Sequence, residues 1–258
     1  MRTQGGSVVL RALRILDAVA RTEEHASLAA IVQSLGVPKP TVYRLLRELR
    51  DAGWVRPYAG ARGGFSAGPR LESLALTLMQ NGGSRAARHN TLSQLVSKLG
   101  ETCNITALDG ARVLYLDRVE SESPLRAHLQ PGSHIPLHCT ASGKLFLAYL
   151  PKARRERLIA QVRFERLTPR TIIDRTQFND ELERIRKQGY ATDNEEYVVG
   201  LTCVAVPVRS TEGKVIAAVA VQAPAIRLPT GGAAAALPAL RSAAEEVAET
   251  YRARRSTR

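Results

Sequence analysis

Residues 27–51 read SLAAIVQSLGVPKPTVYRLLRELRD, and this stretch decides the fold of the N-terminal part of the chain. Apolar residues recur every three or four positions in each half of it, which predicts two short amphipathic helices. Gly36 lies between them, at a helix end that needs a left-handed residue. Pro38 and Pro40 suit the first turn of the second helix, because proline lacks an N–H group that this turn does not use. The pattern predicts a helix-turn-helix, whose second helix enters a DNA major groove.

The outer face of the predicted second helix is basic. At about 100° per residue, Arg44 and Arg47 point away from the apolar stripe formed by Val42, Leu45 and Leu46. Arginine can bind guanine through two hydrogen bonds, so these two arginines are the candidates for reading base edges. The alternative is an ordinary helical hairpin with a solvated basic face. The candidate DNA-binding residues of this stretch are Ser27, Lys39, Pro40, Thr41, Tyr43, Arg44 and Arg47.

A glycine-rich segment follows the second helix. Trp54 and Val55 on one side and Phe65 on the other predict a short hairpin, whose tip reads RPYAGARGG. Three helices followed by such a hairpin form a winged helix. We therefore expect Arg56 and Arg62, in the wing, to meet phosphates or a minor groove. A solvated loop without a DNA contact is the alternative.

Helices are also predicted before and after this region. Ser7 is suited to cap a first helix. The core stripe of that helix would be Val9, Leu13, Leu16 and Ala20. A short helix over residues 71–79 and a longer one over residues 84–99 flank the break Asn81-Gly82-Gly83, which marks a domain boundary.

After Gly100 the pattern changes to that of a second domain. Asp109-Gly110 predicts a tight hairpin turn between its first two strands. The predicted strands cover residues 102–108, 113–119, 125–129, 201–208 and 214–223. The predicted helices cover residues 140–150, 152–162, 176–188 and 233–251. Strands on both sides of a helical block describe an α+β fold with a mainly antiparallel sheet.

Composition narrows the functions to consider. A net charge of +13 and a pI near 10.3 indicate attraction to polyanions, of which nucleic acid is the commonest. Cys103, Cys139 and Cys203 are far apart in the sequence, which argues against a disulfide framework and suits a reducing cytoplasm. The N-terminal segment has no signal-peptide pattern, and no apolar run approaches the roughly 20 residues of a membrane span. We expect a cytoplasmic protein that does not bind membranes.

Four runs of sequence resemble a single family. ETCNITALDGARVLYLDRVESESPLR at 101–126, PLHCTASGKLFLAYLP at 136–151 and GYATDNEEYVVGLTCVAVPV at 189–208 closely resemble IclR-type bacterial transcriptional regulators. Residues 7–55, from SVVLRALRILDAVA to DAGWV, resemble the winged helix of the same family. The resemblance extends over about residues 7–250.

The resemblance implies an α+β protein of three parts. Residues 1–70 would form the winged helix-turn-helix domain, 71–99 a helical linker, and 100–258 a GAF-like effector-binding domain with an antiparallel sheet. It also implies homodimers, often paired into homotetramers, that bind pseudo-palindromic double-stranded operator DNA and a small-molecule effector.

The effector site is predicted in the C-terminal domain. The sequence TASGK at 140–144 begins a helix, whose unpaired N–H groups favour a carboxylate. The alternative is a small-residue helix start packed against the sheet. From the helix start and the resemblance together, the candidate effector-binding residues are Ala141, Ser142, Gly143, Asp193, Cys203, Ala220 and Gln222.

Ala220 and Gln222 depart from the family pattern. Some members carry two serines at these positions, which hydrogen-bond a short keto acid. Alanine leaves room and glutamine offers an amide, so this pair suits a larger or aromatic acid better than a glyoxylate- or pyruvate-like ligand.

Two other classes of function are alternatives to the regulator. A metal- or thiol-dependent sensor or enzyme would use His138, Cys139 and Cys203, because histidine and cysteine are common zinc ligands. The chain has no close-spaced ligand pair and no nucleophile elbow. A nonspecific basic architectural protein would not need so organised a second domain. We therefore predict a regulator without catalytic residues, metal or cofactor.

Overall fold

The computed structural model describes residues 7–22, 25–58, 63–81, 85–122, 130–227 and 233–251. The chain divides into two compact units, Met1–Leu78 and Met79–Arg258. The predicted fold class, a winged helix-turn-helix followed by an α+β domain with an antiparallel sheet, is confirmed. The predicted limits of the linker, residues 71 and 99, stay predictions.

The first unit consists mainly of helices with a small sheet. Its elements are α1 (Val8–Arg21), β1 (Ala26–Ser27), α2 (Leu28–Leu35), α3 (Lys39–Asp51), β2 (Val55–Pro57), β3 (Gly64–Ala67) and the start of α4 (Pro69–Asn81). The strands pair antiparallel in the order β1-β3-β2. Gly36 ends α2 with a φ of 65°, so the turn between α2 and α3 forms as predicted. The two-residue strand β1 was not predicted, because it is too short to show alternation.

The predicted core stripe of α1 is wrong at Val9, Leu13 and Ala20, which are exposed, whereas Leu16 packs against the core. The buried residues of this helix are Ile15 and Val19. Apolar residues lie on more than one side of α1, so periodicity alone does not select the buried side. Tertiary packing decides which side is buried, because Ile15 and Val19 lie in one cluster with residues of α2 and α3, such as Ile31. Ser7 caps the helix as predicted, since its Oγ accepts from Leu10 N at 3.3 Å.

The second unit contains a six-stranded sheet. Its elements are α5 (Arg85–Leu99), β4 (Thr102–Asp109), β5 (Arg112–Val119), β6 (His134–Pro136), α6 (Ala141–Tyr149), α7 (Lys152–Gln161), α8 (Arg175–Gln188), β7 (Ala191–Asn194), β8 (Leu201–Arg209), β9 (Val215–Pro224) and α9 (Ala233–Tyr251). The strand order is β6-β5-β4-β9-β8-β7, and every neighbouring pair is antiparallel. The predicted helices of this unit are confirmed.

Two strand predictions of this unit had different outcomes. The hairpin turn at Asp109-Gly110 is confirmed, because Asp109 pairs with Arg112 and Gly110 has a φ of 55°. The predicted strand 125–129 lies outside the described residues. Among the residues that are described, β6 pairs with β5 at that edge of the sheet. Three residues are too few for alternation to reveal β6.

Helices cover both faces of this sheet. α5 and α9 contact one face, whereas α6 packs on the other and is itself covered by α8. Ala205, Ala218 and Ala220 belong to the buried cluster that includes α6, and they define what we call the α6 face. Because cross-strand partners point to the same side of a sheet, the strand register determines which side chains share this face.

Candidate functional site

The outer face of α3 presents the predicted DNA-binding side chains. Val42, Leu45 and Leu46 are buried against the core of the first unit. Thr41 is half-buried at the edge of that surface. The exposed residues of the predicted set are Lys39, Pro40, Tyr43, Arg44 and Arg47. The apolar stripe and the basic face therefore lie on opposite sides of one helix, as the spacing predicts.

The two candidate base-reading arginines differ in their surroundings. The Nε of Arg47 lies 3.9 Å from Asp51 Oδ2, one helical turn away. Asp51 is also hydrogen-bonded by Arg50, at 2.8 Å. Arg44 forms no ion pair with any residue that the structure describes. An exposed positive charge without an ion-pair partner among the described residues is available to an anionic partner.

The other predicted DNA contacts have structural partners or lie outside the description. Ser27 caps α2, because its Oγ accepts from Ala30 N at 3.1 Å. Arg56 donates to Glu72 Oε1 at 3.0 Å, and both side chains are exposed. An exposed ion pair contributes about 0–1 kcal/mol, so Arg56 can exchange Glu72 for a phosphate at little cost. Arg62 lies outside the described residues.

The first turn of α6 leaves two backbone donors over the sheet. Thr140 Oγ1 accepts from Gly143 N at 3.2 Å and donates to Pro136 O at 2.7 Å. The first N–H groups of a helix lack intrahelical acceptors. With Gly143 N capped by Thr140, the N–H groups of Ala141 and Ser142 remain as first-turn donors without an acceptor among the described residues. Both side chains are small and buried.

Gly143 has a packing role that the sequence did not reveal. A Cβ at this position would lie 2.6 Å from the Cα of Leu137 and closer still to its carbonyl oxygen. Glycine therefore allows α6 to approach the backbone that precedes it. The N–H group of Gly143 already donates to Thr140. The predicted contact between Gly143 and an effector stays a prediction.

The remaining predicted effector residues come together on the α6 face. Asp193 pairs with Cys203, Cys203 pairs with Gln222, and Ala205 pairs with Ala220. The four candidates therefore lie on three neighbouring strands and point to one side of the sheet. The predicted positions from α6 and from the strands form one region, although residues 191–222 are distant in sequence from residues 141–143.

Asp193 is buried and shapes the turn that follows β7. Its Oδ1 accepts from the N–H groups of Glu196 at 2.7 Å and Tyr197 at 3.3 Å. Burial raises the pKa of Asp193 to about 7, and repulsion from Glu196 adds to the shift. The carboxyl group is therefore divided between its neutral and charged forms near neutral pH.

A buried ion cluster beside this region was not predicted. The side chain of Lys144 is 1% exposed, and its Nζ contacts Glu196 Oε1 and, at 3.2 Å, Glu181 Oε1. Glu181 also accepts from Arg184 at 2.7 Å. The lysine of TASGK thus holds α6 to α8 and to the turn after β7. A lysine one turn into a helix gives no sequence signal for such burial.

Four polar residues on the α6 face form what we call the polar cluster: Asn104, Thr106, Arg118 and Gln222. Asn104 is 2% exposed and Thr106 is fully buried. Asn104 Oδ1 and Thr106 Oγ1 have no hydrogen-bond partner among the described residues. Arg118 Nη1 donates to Gln222 Oε1 at 3.0 Å. Of this cluster, only Gln222 was among the predicted site residues. Asn104 and Thr106 were not predicted, because polar residues that alternate with apolar ones in a strand such as β4 are typical of a solvent-facing side.

The alternative of a metal- or thiol-dependent site has little support in the geometry. Burial raises the pKa of Cys139 to about 12, with further contributions from Asp193 and Glu196. Burial likewise raises the pKa of Cys203 well above its usual value. The thiolate is the nucleophile and metal ligand, so these thiols are poorly suited to either role. The described part of the chain contains no group of three or more metal-ligating side chains.

His138 is held by contacts with neighbouring residues. His138 Nε2 hydrogen-bonds to Glu165 O at 2.9 Å, and the ring packs against Phe164. These contacts fit a structural histidine.

Within the described helices we find none with the length and apolar character that a membrane span requires.

Two family models match this chain. The model described as "IclR helix-turn-helix domain" matches residues 8–57, and the model described as "Bacterial transcriptional regulator IclR C-terminal" matches residues 78–249. The first match contains α2 and α3, and the second contains the six-stranded sheet with α6.

Individual proteins agree with these matches. The chain is 43% identical to the "Probable transcriptional regulator SauR" of Cupriavidus necator, over 97% of this chain and 99% of that protein. Its fold is similar to that of the Thermotoga maritima IclR crystal structure, with 27% identity, coverage of 93% and 97%, and a TM-score of 0.62. It is also similar to the inducer-binding domain of a PobR double mutant from Acinetobacter, crystallised with 3-hydroxybenzoic acid. That match has 29% identity, a TM-score of 0.58, and coverage of 63% of this chain and 96% of the other.

Proposed function

We propose a specific activity for this chain on the premise that it belongs to the IclR family of bacterial transcriptional regulators. It is a transcriptional regulator with a helix-turn-helix DNA-binding domain and a C-terminal effector domain. Beyond this, we propose that it binds one operator sequence and that an organic acid changes its affinity for that sequence. The proposal includes a homodimer, further paired into a tetramer. A cytoplasmic location is supported by three free thiols.

The exposed basic face of α3 carries the DNA half of this proposal. Arg44 and Arg47 lie opposite the buried stripe, so a helix in the major groove would direct both at base edges. Thr41 and Tyr43 flank them. Lys39, Arg56 and Arg62 would mainly hold phosphates, which sets the register on the duplex without reading sequence.

The first turn of α6 and the α6 face support the effector half. The N–H groups of Ala141 and Ser142 point from a helix N-terminus, which favours a carboxylate. Asp193, Cys203, Ala220 and Gln222 would surround the rest of the ligand. The PobR domain holds 3-hydroxybenzoic acid, and we propose that this chain also accepts an acid larger than a two- or three-carbon keto acid.

The DNA half can be tested with the full-length protein. A high-affinity sequence is first selected from random DNA, and fluorescence anisotropy then measures binding to it and to unrelated DNA. We expect Arg44→Ala to weaken binding to the selected sequence about 5- to 150-fold, because a bidentate arginine–guanine contact contributes ~1–3 kcal/mol of discrimination. Binding to unrelated DNA should fall much less.

Arg50→Ala is the matched control, since it removes the same charge from the same helix at a residue held by Asp51. It should change the affinities for both DNAs by a similar, small factor. Equal losses on both DNAs with Arg44→Ala would contradict the assignment of Arg44 to base reading.

A further inference from the structure

We propose that the polar cluster of Asn104, Thr106, Arg118 and Gln222 is a second subsite of the effector pocket and that it binds a second anionic group of the ligand. The effector would then be an organic acid with two anionic groups, such as a dicarboxylate. This inference rests on the proposed function, because it assumes that one carboxylate is held at the start of α6.

Arg118 lies across the α6 face. Its strand, β5, is separated from β9 by β4, a distance of roughly 10 Å at ordinary strand spacing. Arg118 nevertheless reaches Gln222 on β9, with 3.0 Å between Nη1 and Oε1. Asn104 pairs with both Arg118 and Ala220, so it lies between them on the same face. The guanidinium group therefore extends over β4, where the small side chain of Ala220 leaves room.

Two buried polar groups in the cluster point to a ligand. Asn104 Oδ1 and Thr106 Oγ1 are buried and have no hydrogen-bond partner among the described residues. Leaving a buried polar group unsatisfied costs about 1–3 kcal/mol, so such groups are expected to meet a partner. The amide of Asn104 can present either its oxygen or its nitrogen, because the two are assigned from their surroundings. Thr106 can donate or accept.

The cluster belongs to the same region as the start of α6. Ala141, Tyr115 and Ala220 are members of one buried cluster, against which Cys203 packs. Tyr115 interacts electrostatically with Arg118 as well as with Asp193. A ligand that extends from the first turn of α6 past Cys203 would reach Arg118.

The charge of Arg118 selects for an anion. Its guanidinium stays protonated at every physiological pH, and its contact with Gln222 is to a neutral amide. Its Nε also forms an ion pair with Glu120 Oε1 at 3.5 Å, and the Glu120 side chain is 29% exposed, so a ligand anion would share this cation with Glu120. Lys144, by contrast, is enclosed by two buried glutamates. A second ligand anion therefore fits at Arg118 rather than at Lys144.

The test compares acids that differ in one carboxylate. Binding to the full-length protein is measured by calorimetry and thermal shift for malonate, succinate, glutarate, adipate and terephthalate. The paired monoacids are propionate, butyrate, pentanoate, hexanoate and 4-methylbenzoate. We expect at least one diacid to bind about 10- to 100-fold more tightly than its monoacid, the usual range for a charge-assisted hydrogen bond.

The variants assign that preference to the polar cluster. Arg118→Gln should abolish the preference, by weakening diacid binding to the level of the matching monoacid. Arg186→Gln, at an exposed position on α8, should keep the preference. If Arg118→Gln does not fold, Gln222→Glu serves instead, because the new carboxylate would pair with Arg118 and exclude the second anion.

Each remaining outcome has a separate meaning. A preference for diacids that survives in both cluster variants, or monoacids that bind the wild type as tightly as diacids, would refute the second subsite and leave the proposed function intact. No binding of any acid to the wild-type protein would refute the acid effector itself.

Discussion

Asp193 combines a structural hydrogen-bonding role with a raised pKa. Its carboxylate accepts two backbone N–H groups after β7, and burial raises its pKa from 3.8 to about 7. The folded protein therefore holds a proton on Asp193 at pH values where the unfolded chain has released it. The stability that this proton provides is complete below about pH 4 and is lost as the pH rises through 7.

Asp193→Asn should remove this pH dependence. Asparagine keeps an oxygen for the same two N–H groups but carries no charge. We expect the variant to be more stable than the wild type at pH 8, by at most about 4 kcal/mol for a shift of this size. The difference should fall to roughly 1.6 kcal/mol at pH 5, because about 1.2 pH units still separate this pH from the ordinary pKa of the unfolded chain. Urea unfolding at both pH values measures it, with Asp174→Asn, at an exposed helix cap, as the control. An advantage that is the same at both pH values would contradict the raised pKa.

Single residues also show where sequence reasoning reaches its limit. Ala141, Ser142, Asp193, Cys203, Ala220 and Gln222 were indicated by motif and family position. Asn104, Thr106 and Arg118 were not, although they lie on the same face. Polar residues that alternate with apolar ones normally face solvent, and only the packing of α6 on this side of the sheet buries them. Long-range packing leaves no local pattern in the sequence.

At the scale of elements, α6 depends on a residue without a side chain. Gly143→Ala would place a Cβ within 2.6 Å of the Leu137 Cα. The neighbour is backbone, so α6 or the preceding segment must move. We expect a loss of about 1–3 kcal/mol in the free energy of unfolding, the usual cost of overpacking.

Chemical denaturation measures this loss, and Thr140→Ser is the comparison. Serine keeps the hydroxyl that caps Gly143 N, so this change in the same turn should have little effect. If Gly143→Ala were as stable as the wild type, the close approach of α6 to Leu137 would not be required.

Helices and long strands were predictable because their periodicity extends over several turns or residue pairs. α5, α8, α9, β4 and β8 fall within a few residues of their predicted limits. The strands β1 and β6, of two and three residues, carry no periodic signal. The buried side of α1 was also unpredictable, because residues on two of its sides are apolar and tertiary packing decides between them.

At the scale of the whole molecule, the central quantity is the coupling between effector and DNA. An effector changes DNA affinity only to the extent that it binds the DNA-competent arrangement with a different affinity. The polypeptide passes from one unit to the other within α4, between Leu78 and Met79. Immediately after this point, Arg88 on α5 donates to Met79 O, and its guanidinium lies 4.8 Å from the Tyr251 ring centroid on α9. Within the second unit, Arg88 therefore joins the last residues of α4 to α5 and α9.

We expect this attachment to be part of the coupling. The acid that binds most tightly should change the affinity for the selected DNA about 5- to 150-fold, and DNA should change the affinity for the acid by the same factor. Arg88→Lys keeps the charge but shortens the reach, so it should reduce that factor while each ligand alone binds as before. Arg85→Lys, exposed on the same helix, should leave the factor unchanged. Anisotropy titrations with and without acid measure both, and an undiminished factor in Arg88→Lys would exclude this attachment from the coupling.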